Sequence, residues 1–76
     1  MPEVVVPNDG WEGDAPGAVS VWFYSDGQQV AQNSLLAEVM VEKATVEIHA
    51  PAAGRLHIRI SADELVHKGD VLATIT

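Results

Sequence analysis

The chain has 76 residues and a mass of 8.1 kDa, room for one domain with one small core and too little for a catalytic domain with its own substrate pocket. Hydrophobic residues make up 47% and charged residues 20%, the mixture of a folded chain rather than a disordered one. Eleven acidic residues against four basic ones give a formal net charge of -7, which repels nucleic acid backbones and anionic lipid surfaces, and the absence of cysteine excludes disulfides, thiolate metal sites and thiol nucleophiles. No apolar run approaches the roughly 20 residues needed to cross a bilayer. Met1-Pro2-Glu3 lacks the basic start of a signal peptide, so the expectation is a soluble intracellular domain.

Taken in order, the elements are short strands. Val19, Val21 and Phe23 alternate with Ser20, Trp22 and Tyr24, which predicts a half-buried strand with the first three on one face. Glu38-Val39-Met40-Val41 and Ala44-Thr45-Val46-Glu47-Ile48 flank Glu42-Lys43 as the arms of a hairpin. Leu56, Ile58 and Ile60 alternate with Arg55, His57 and Arg59 in a further strand. Breakers separate these runs at Asn8-Asp9-Gly10, Ala15-Pro16-Gly17, Ser25-Asp26-Gly27, Ala50-Pro51 and Lys68-Gly69-Asp70. The one helix-compatible stretch, Ser61 to Leu65, is about one turn long and too short to hold itself together. The pattern predicts an all-β sandwich or flattened barrel.

The two halves also echo each other. Val30 to Val39 aligns with Val66 to Ile75 at an offset of 36 residues, with valine, leucine and alanine coinciding at the first, seventh and eighth places. Gly17 pairs with Gly54 after one inserted residue. Two quasi-equivalent halves leave the connection from Met40 to Thr45 without a counterpart.

That connection breaks the local rule for hairpins. Two-residue loops favour Asn-Gly, Asp-Gly or Gly-X, which reach positive φ cheaply, whereas Glu42-Lys43 offers neither glycine nor asparagine. Residues that stability did not select point to function, and Lys43 is one of only two lysines in the chain. A solvated charged turn is the plain alternative.

The string Leu36-Ala37-Glu38-Val39-Met40-Val41-Glu42-Lys43-Ala44-Thr45-Val46-Glu47-Ile48-His49-Ala50-Pro51-Ala52-Ala53-Gly54 resembles the lipoyl domain of 2-oxo acid dehydrogenase complexes. The core of the likeness is Glu42-Lys43-Ala44-Thr45-Val46-Glu47, with Gly27 sixteen residues before Lys43 and Gly54 eleven after it. The resemblance runs from about Val4 to Ile75 and so takes in residues 1–76 as a single carrier domain. Departures are Met40 and Val41, where the family commonly has glutamate and threonine, and Asn33, where it has glycine. They bear on which ligase and which decarboxylase recognise the hairpin.

The fold this resemblance implies is two four-stranded antiparallel sheets related by pseudo-twofold symmetry, a barrel-sandwich hybrid. The function it implies is a swinging-arm acyl and electron carrier that is not itself an enzyme. Lipoic acid would be amide-linked to Lys43, with Glu42 and Ala44 read by the enzymes that recognise the hairpin. Implied partners are a thiamin-diphosphate-dependent decarboxylase, dihydrolipoyl dehydrogenase, an acyltransferase catalytic domain and lipoate ligase or lipoyl-transfer enzymes. The expected setting is the cytoplasm, or the mitochondrial matrix in a eukaryote, with the isolated domain a monomer. In such domains the first long loop lies beside the lysine hairpin. Asp9, Trp11, Glu12 and Asp14 are therefore candidates for partner recognition, the aromatic as anchor and the acids as steering charges. The competing reading of Trp11 tucks its ring onto the edge of the core.

His49, His57 and His67 form no metal-ligand spacing and read as surface residues. Asp63 and Glu64 read as turn residues, Met40 and Trp22 as packing residues, and Lys68, outside the motif, as an internal control for Lys43. The nearest rival is a biotinyl carrier domain, whose signature places methionine on each side of the lysine. An unmodified barrel-sandwich structural or interaction module is the other.

Overall fold

A computed structural model describes residues 2–8, 11, 15–42 and 44–76. Eight strands follow in order: β1 (Glu3–Val5), β2 (Gly17–Trp22), β3 (Gln29–Val30), β4 (Leu35–Val41), β5 (Ala44–His49), β6 (Gly54–Ile58), β7 (Leu65–Val66) and β8 (Val71–Ile75). They form two antiparallel four-stranded sheets, ordered β1-β8-β6-β3 and β5-β4-β2-β7. Replacing each strand of the first order by the strand four places away gives the second, so each half of the chain contributes to both sheets. The expected all-β architecture and its symmetry are both present.

The core shows the duplication residue by residue. Fourteen hydrophobic residues are buried among those described, and they fall into seven pairs. These are Val4 with Ile48, Val6 with Ala50, Val19 with Leu56, Val30 with Val66, Leu36 with Leu72, Ala37 with Ala73, and Val39 with Ile75. Each fully buried aliphatic side chain contributes roughly 1.5–3 kcal/mol of transfer free energy, so the duplicated set dominates the driving force for folding. The turns repeat as well: Gly27 and Asp63 share a positive φ (85° and 72°), as do Asn33 and Gly69 (70° and 89°). Asn33 thus does the work of the family glycine, since asparagine tolerates the left-handed region better than most residues. No helix forms at Ser61–Leu65; Asp63 turns the chain there and donates its N–H to the carbonyl of Val19 at 2.6 Å.

Three bulges decide which side chains face inward. In β4 the register shifts between Leu35 and Ala37, and in β8 the partners of Val4 and Val5 jump from Ala73 to Val71. Consecutive residues are therefore both buried, Leu36 with Ala37 and Leu72 with Ala73. In β2 the shift lies between Val19 and Val21, across Ser20. This corrects the simple alternation, because Phe23 does not share the face of Val19. Beyond the bulge, Val21 pairs with Glu38 on the outside and Trp22 with Ala37 on the inside. Phe23 is 50% exposed, while Trp22 packs against the core and its indole N–H donates to the Ile60 carbonyl at 2.9 Å.

Candidate functional site

The β4–β5 hairpin is the longest paired ribbon in the molecule. Its register matches Glu38 with Glu47, Val39 with Val46, Met40 with Thr45 and Val41 with Ala44. That last pair leaves two residues for the connection, Glu42 and Lys43. Glu42 is an exposed turn residue and Ala44 and Thr45 are exposed; Lys43 lies outside the described residues. The base of the ribbon is firm. Val39 is fully buried, and Val41 and Val46 pack on the core.

Gly17 fixes how closely β2 can approach the end of β4. A Cβ at this position would meet Val39 Cγ1 at 2.7 Å and the Met40 carbonyl at 3.2 Å, so only glycine lets the two strands lie this near. Gly54 has the corresponding role against Ile75, again at 2.7 Å. At the corner symmetry-related to the hairpin, Ile75 N–H donates to the Pro2 carbonyl at 2.9 Å.

Of the candidate recognition residues, Asp9, Glu12 and Asp14 lie outside the described residues. Trp11 is described and takes its packing role: half-buried, it lies against the core, donates its indole N–H to the Ala15 carbonyl at 2.8 Å, and has Lys68 Nζ 5.7 Å from its ring centroid. Strand register places this cluster at the hairpin's end of the sheet. Gly17 pairs with Val66 and Ala18 pairs with both Leu65 and Met40, so residues 15–16 and 67–68 continue toward the same edge as residues 42–43.

Met40 departs from its expected packing role. It is 57% exposed, because it shares a face with Glu38 and Thr45, opposite the buried Val39. The signal was present in the strand itself, two residues from a glutamate. The histidines have local polar partners: His49 Nδ1 lies 3.1 Å from the Asn33 carbonyl and Nε2 3.5 Å from Glu47, His57 Nε2 lies 2.8 Å from Thr76 Oγ1, and His67 Nδ1 lies 3.8 Å from Asp70. Asp63 and Glu64 lie in the exposed turn before β7, as expected.

Among the described residues the arrangement suits a projecting attachment point. Its short connection joins two strands held by register and core, and the described side chains flanking Lys43 are exposed.

Comparison with known proteins shows the family. The family described as "Biotin-requiring enzyme", the biotin/lipoyl attachment family, matches residues 2–75. The chain is 47% identical over 45 residues to a lipoamide acyltransferase component of the branched-chain alpha-keto acid dehydrogenase complex from Pseudomonas aeruginosa, covering 59% of this chain and 10% of that protein. It is 37% identical over 60 residues to a dihydrolipoyllysine-residue succinyltransferase component of the 2-oxoglutarate dehydrogenase complex from Cupriavidus necator, covering 70% and 14%. The chain thus spans a small fraction of these relatives' length. Its fold superposes on the lipoyl domain of the 2-oxoglutarate dehydrogenase complex from Azotobacter vinelandii with a TM-score of 0.75 at 24% identity, covering 97% of this chain and 95% of that one.

Proposed function

On the premise that the chain belongs to the biotin/lipoyl attachment family, we propose that it is a carrier domain of the lipoyl type with Lys43 as its attachment point, bearing lipoic acid through an amide to Nζ. The observation that carries this reading is the two-residue connection: register pairs Val41 with Ala44, and the sequence places Lys43 in the gap between exposed neighbours. When bound, a dithiolane supplies the reversible disulfide and thioester chemistry for which this cysteine-free chain has no side chain of its own.

The chain's own contribution is position. Val39, Val41 and Val46 anchor the ribbon, Gly17 admits β2 against it, and Glu42 and Ala44 present the lysine's flanks to the enzymes that modify it. A long arm on a firm base replaces diffusion by a high effective concentration at each site it visits. Amide formation removes the lysine's charge and makes the formal net charge one unit more negative than -7. The partners under this reading are a thiamin-diphosphate-dependent decarboxylase, an acyltransferase catalytic domain and dihydrolipoyl dehydrogenase.

Biotin is the competing group, and the residues flanking Lys43, Glu42 and Ala44, are not the paired methionines of biotinyl domains. Incubation with lipoate-protein ligase and, separately, with biotin-protein ligase, followed by intact mass measurement, tests the assignment. One lipoyl increment, absent from Lys43→Ala, is expected. A biotinyl increment alone overturns the choice of group, and no increment on a folded domain overturns the attachment reading.

A further inference from the structure

The outer face of the β5-β4-β2-β7 sheet is built against the usual preference of an exposed surface. Residues paired across antiparallel strands share a face, so register sets Thr45, Met40, Ala18 and Leu65 in one row. Glu47, Glu38 and Val21 form the next. The bulge at Ser20 turns Phe23 outward on the same side. Met40 (57%), Leu65 (69%) and Phe23 (50%) are three of the four large hydrophobic residues exposed among those described; the fourth, Val5, belongs to the other sheet.

Fixed charge on this face is one-sided, with His49 Nε2 3.5 Å from Glu47 on the same strand. Glu38 and Glu47 stand directly opposite one another, an arrangement that opposes folding. None of the four strands carries lysine or arginine: Arg55 is in β6, Arg59 follows it, and Lys68 lies over Trp11. A second copy of the chain would bring this carboxylate pair against itself, and an anionic lipid surface would repel it. The Met40–Thr45 pair is one step from the Val41–Ala44 pair that closes the hairpin, so whatever covers this face lies alongside Lys43.

We propose that this face docks a partner protein whose surface has an apolar centre rimmed by arginine or lysine, and that docking delivers the Lys43 arm to that partner. The inference rests on the reading of Lys43 as the attachment point. Met40, Leu65 and Phe23 supply the apolar contact, and Glu38 and Glu47 supply register and on-rate.

The test titrates the isotope-labelled, unmodified domain with purified thiamin-diphosphate-dependent decarboxylase at low and high salt, following backbone amide signals by NMR. Broadening is expected to centre on β4, β2 and β7 and to weaken at high salt. Met40→Ser and Leu65→Ser should each raise Kd by roughly tenfold, while Val5→Ser on the other sheet leaves it unchanged. Glu38→Lys should raise thermal stability, by removing the like-charge pair, and weaken binding, a split that a purely structural role does not produce. Perturbations centred on the other sheet or the 8–16 loop, a Kd insensitive to the face substitutions, or self-association of the domain alone through this face would each overturn the proposal. Binding with no mass increment from either ligase refutes the attachment reading alone; an increment without a response from this face refutes the docking alone.

Discussion

Gly54→Ala combines crowding with backbone strain. An added Cβ would lie 2.7 Å from Ile75 Cγ2 and 2.9 Å from the Thr76 carbonyl oxygen, and the residue has a φ of 153°. Overpacking of this kind costs about 1–3 kcal/mol. A residue held in a sparsely populated backbone region costs about 1–3 kcal/mol more. Against these, alanine reduces the entropy of the unfolded chain and returns about 0.4–1 kcal/mol. The net expectation is a loss of about 3 kcal/mol, a large part of the roughly 4–11 kcal/mol that a domain of this length possesses. At about 4–8 °C per kcal/mol, Tm should fall by roughly 12–24 °C. Two other glycines calibrate the result. Gly17→Ala meets Val39 at the same 2.7 Å without a positive φ, and Gly27→Ala has a φ of 85° with nothing within 4 Å. Each should cost less than Gly54→Ala, because each carries only one of the two penalties. Urea and thermal denaturation followed by circular dichroism give all three. Gly54→Ala within about 0.5 kcal/mol of wild type, or a larger loss for Gly27→Ala, would refute the reasoning.

Leu36→Ala and Leu72→Ala, at paired and fully buried positions, should each cost about 2–5 kcal/mol and agree within about 1 kcal/mol in urea denaturation. Trp22→Phe keeps most of the packing but leaves the Ile60 carbonyl without its indole donor, and should cost about 1 kcal/mol by the same measurement. Lys68→Met removes the ammonium near the Trp11 ring; it should cost no more than about 1 kcal/mol, alter tryptophan emission, and leave the ligase-dependent mass increment in place.

The sequence made the duplication readable because the matched residues are the core itself. Val30 with Val66, Leu36 with Leu72 and Ala37 with Ala73 recur at one offset since both copies must fill the same space. It also located the hairpin, whose Glu42-Lys43 connection lacks the glycine or asparagine that two-residue loops favour. The bulges were the hidden part. Period-two reading carries Phe23 along with Val19, and nothing in Ser20 announces the extra residue that reverses them. Adjacent buried pairs such as Leu36-Ala37 are the trace a bulge leaves, although an apolar neighbour is equally compatible with a strand covered on both faces. Met40 is a different case: its side chain is hydrophobic, but alternation with the buried Val39 puts it on the outer face. The sequence leaves Trp11 open between anchoring a partner and packing; its half-buried ring packs against the core and donates to the Ala15 carbonyl.

The meeting of Pro2 with Ile75 makes the fold nearly cyclic. Strand β1 pairs with β8 as β5 pairs with β4, so Pro2 and Ile75 meet where the internal symmetry would place a second hairpin. A short linker from Thr76 to Pro2 would form that hairpin, and cutting the chain between Glu42 and Lys43 would open the other corner. Such a permuted protein would keep every core pair while exchanging the corner that bears a turn for the corner that bears the ends. Grafting Glu-Lys-Ala into the new linker would then ask whether a carrier lysine needs this particular corner or only the geometry that both corners share.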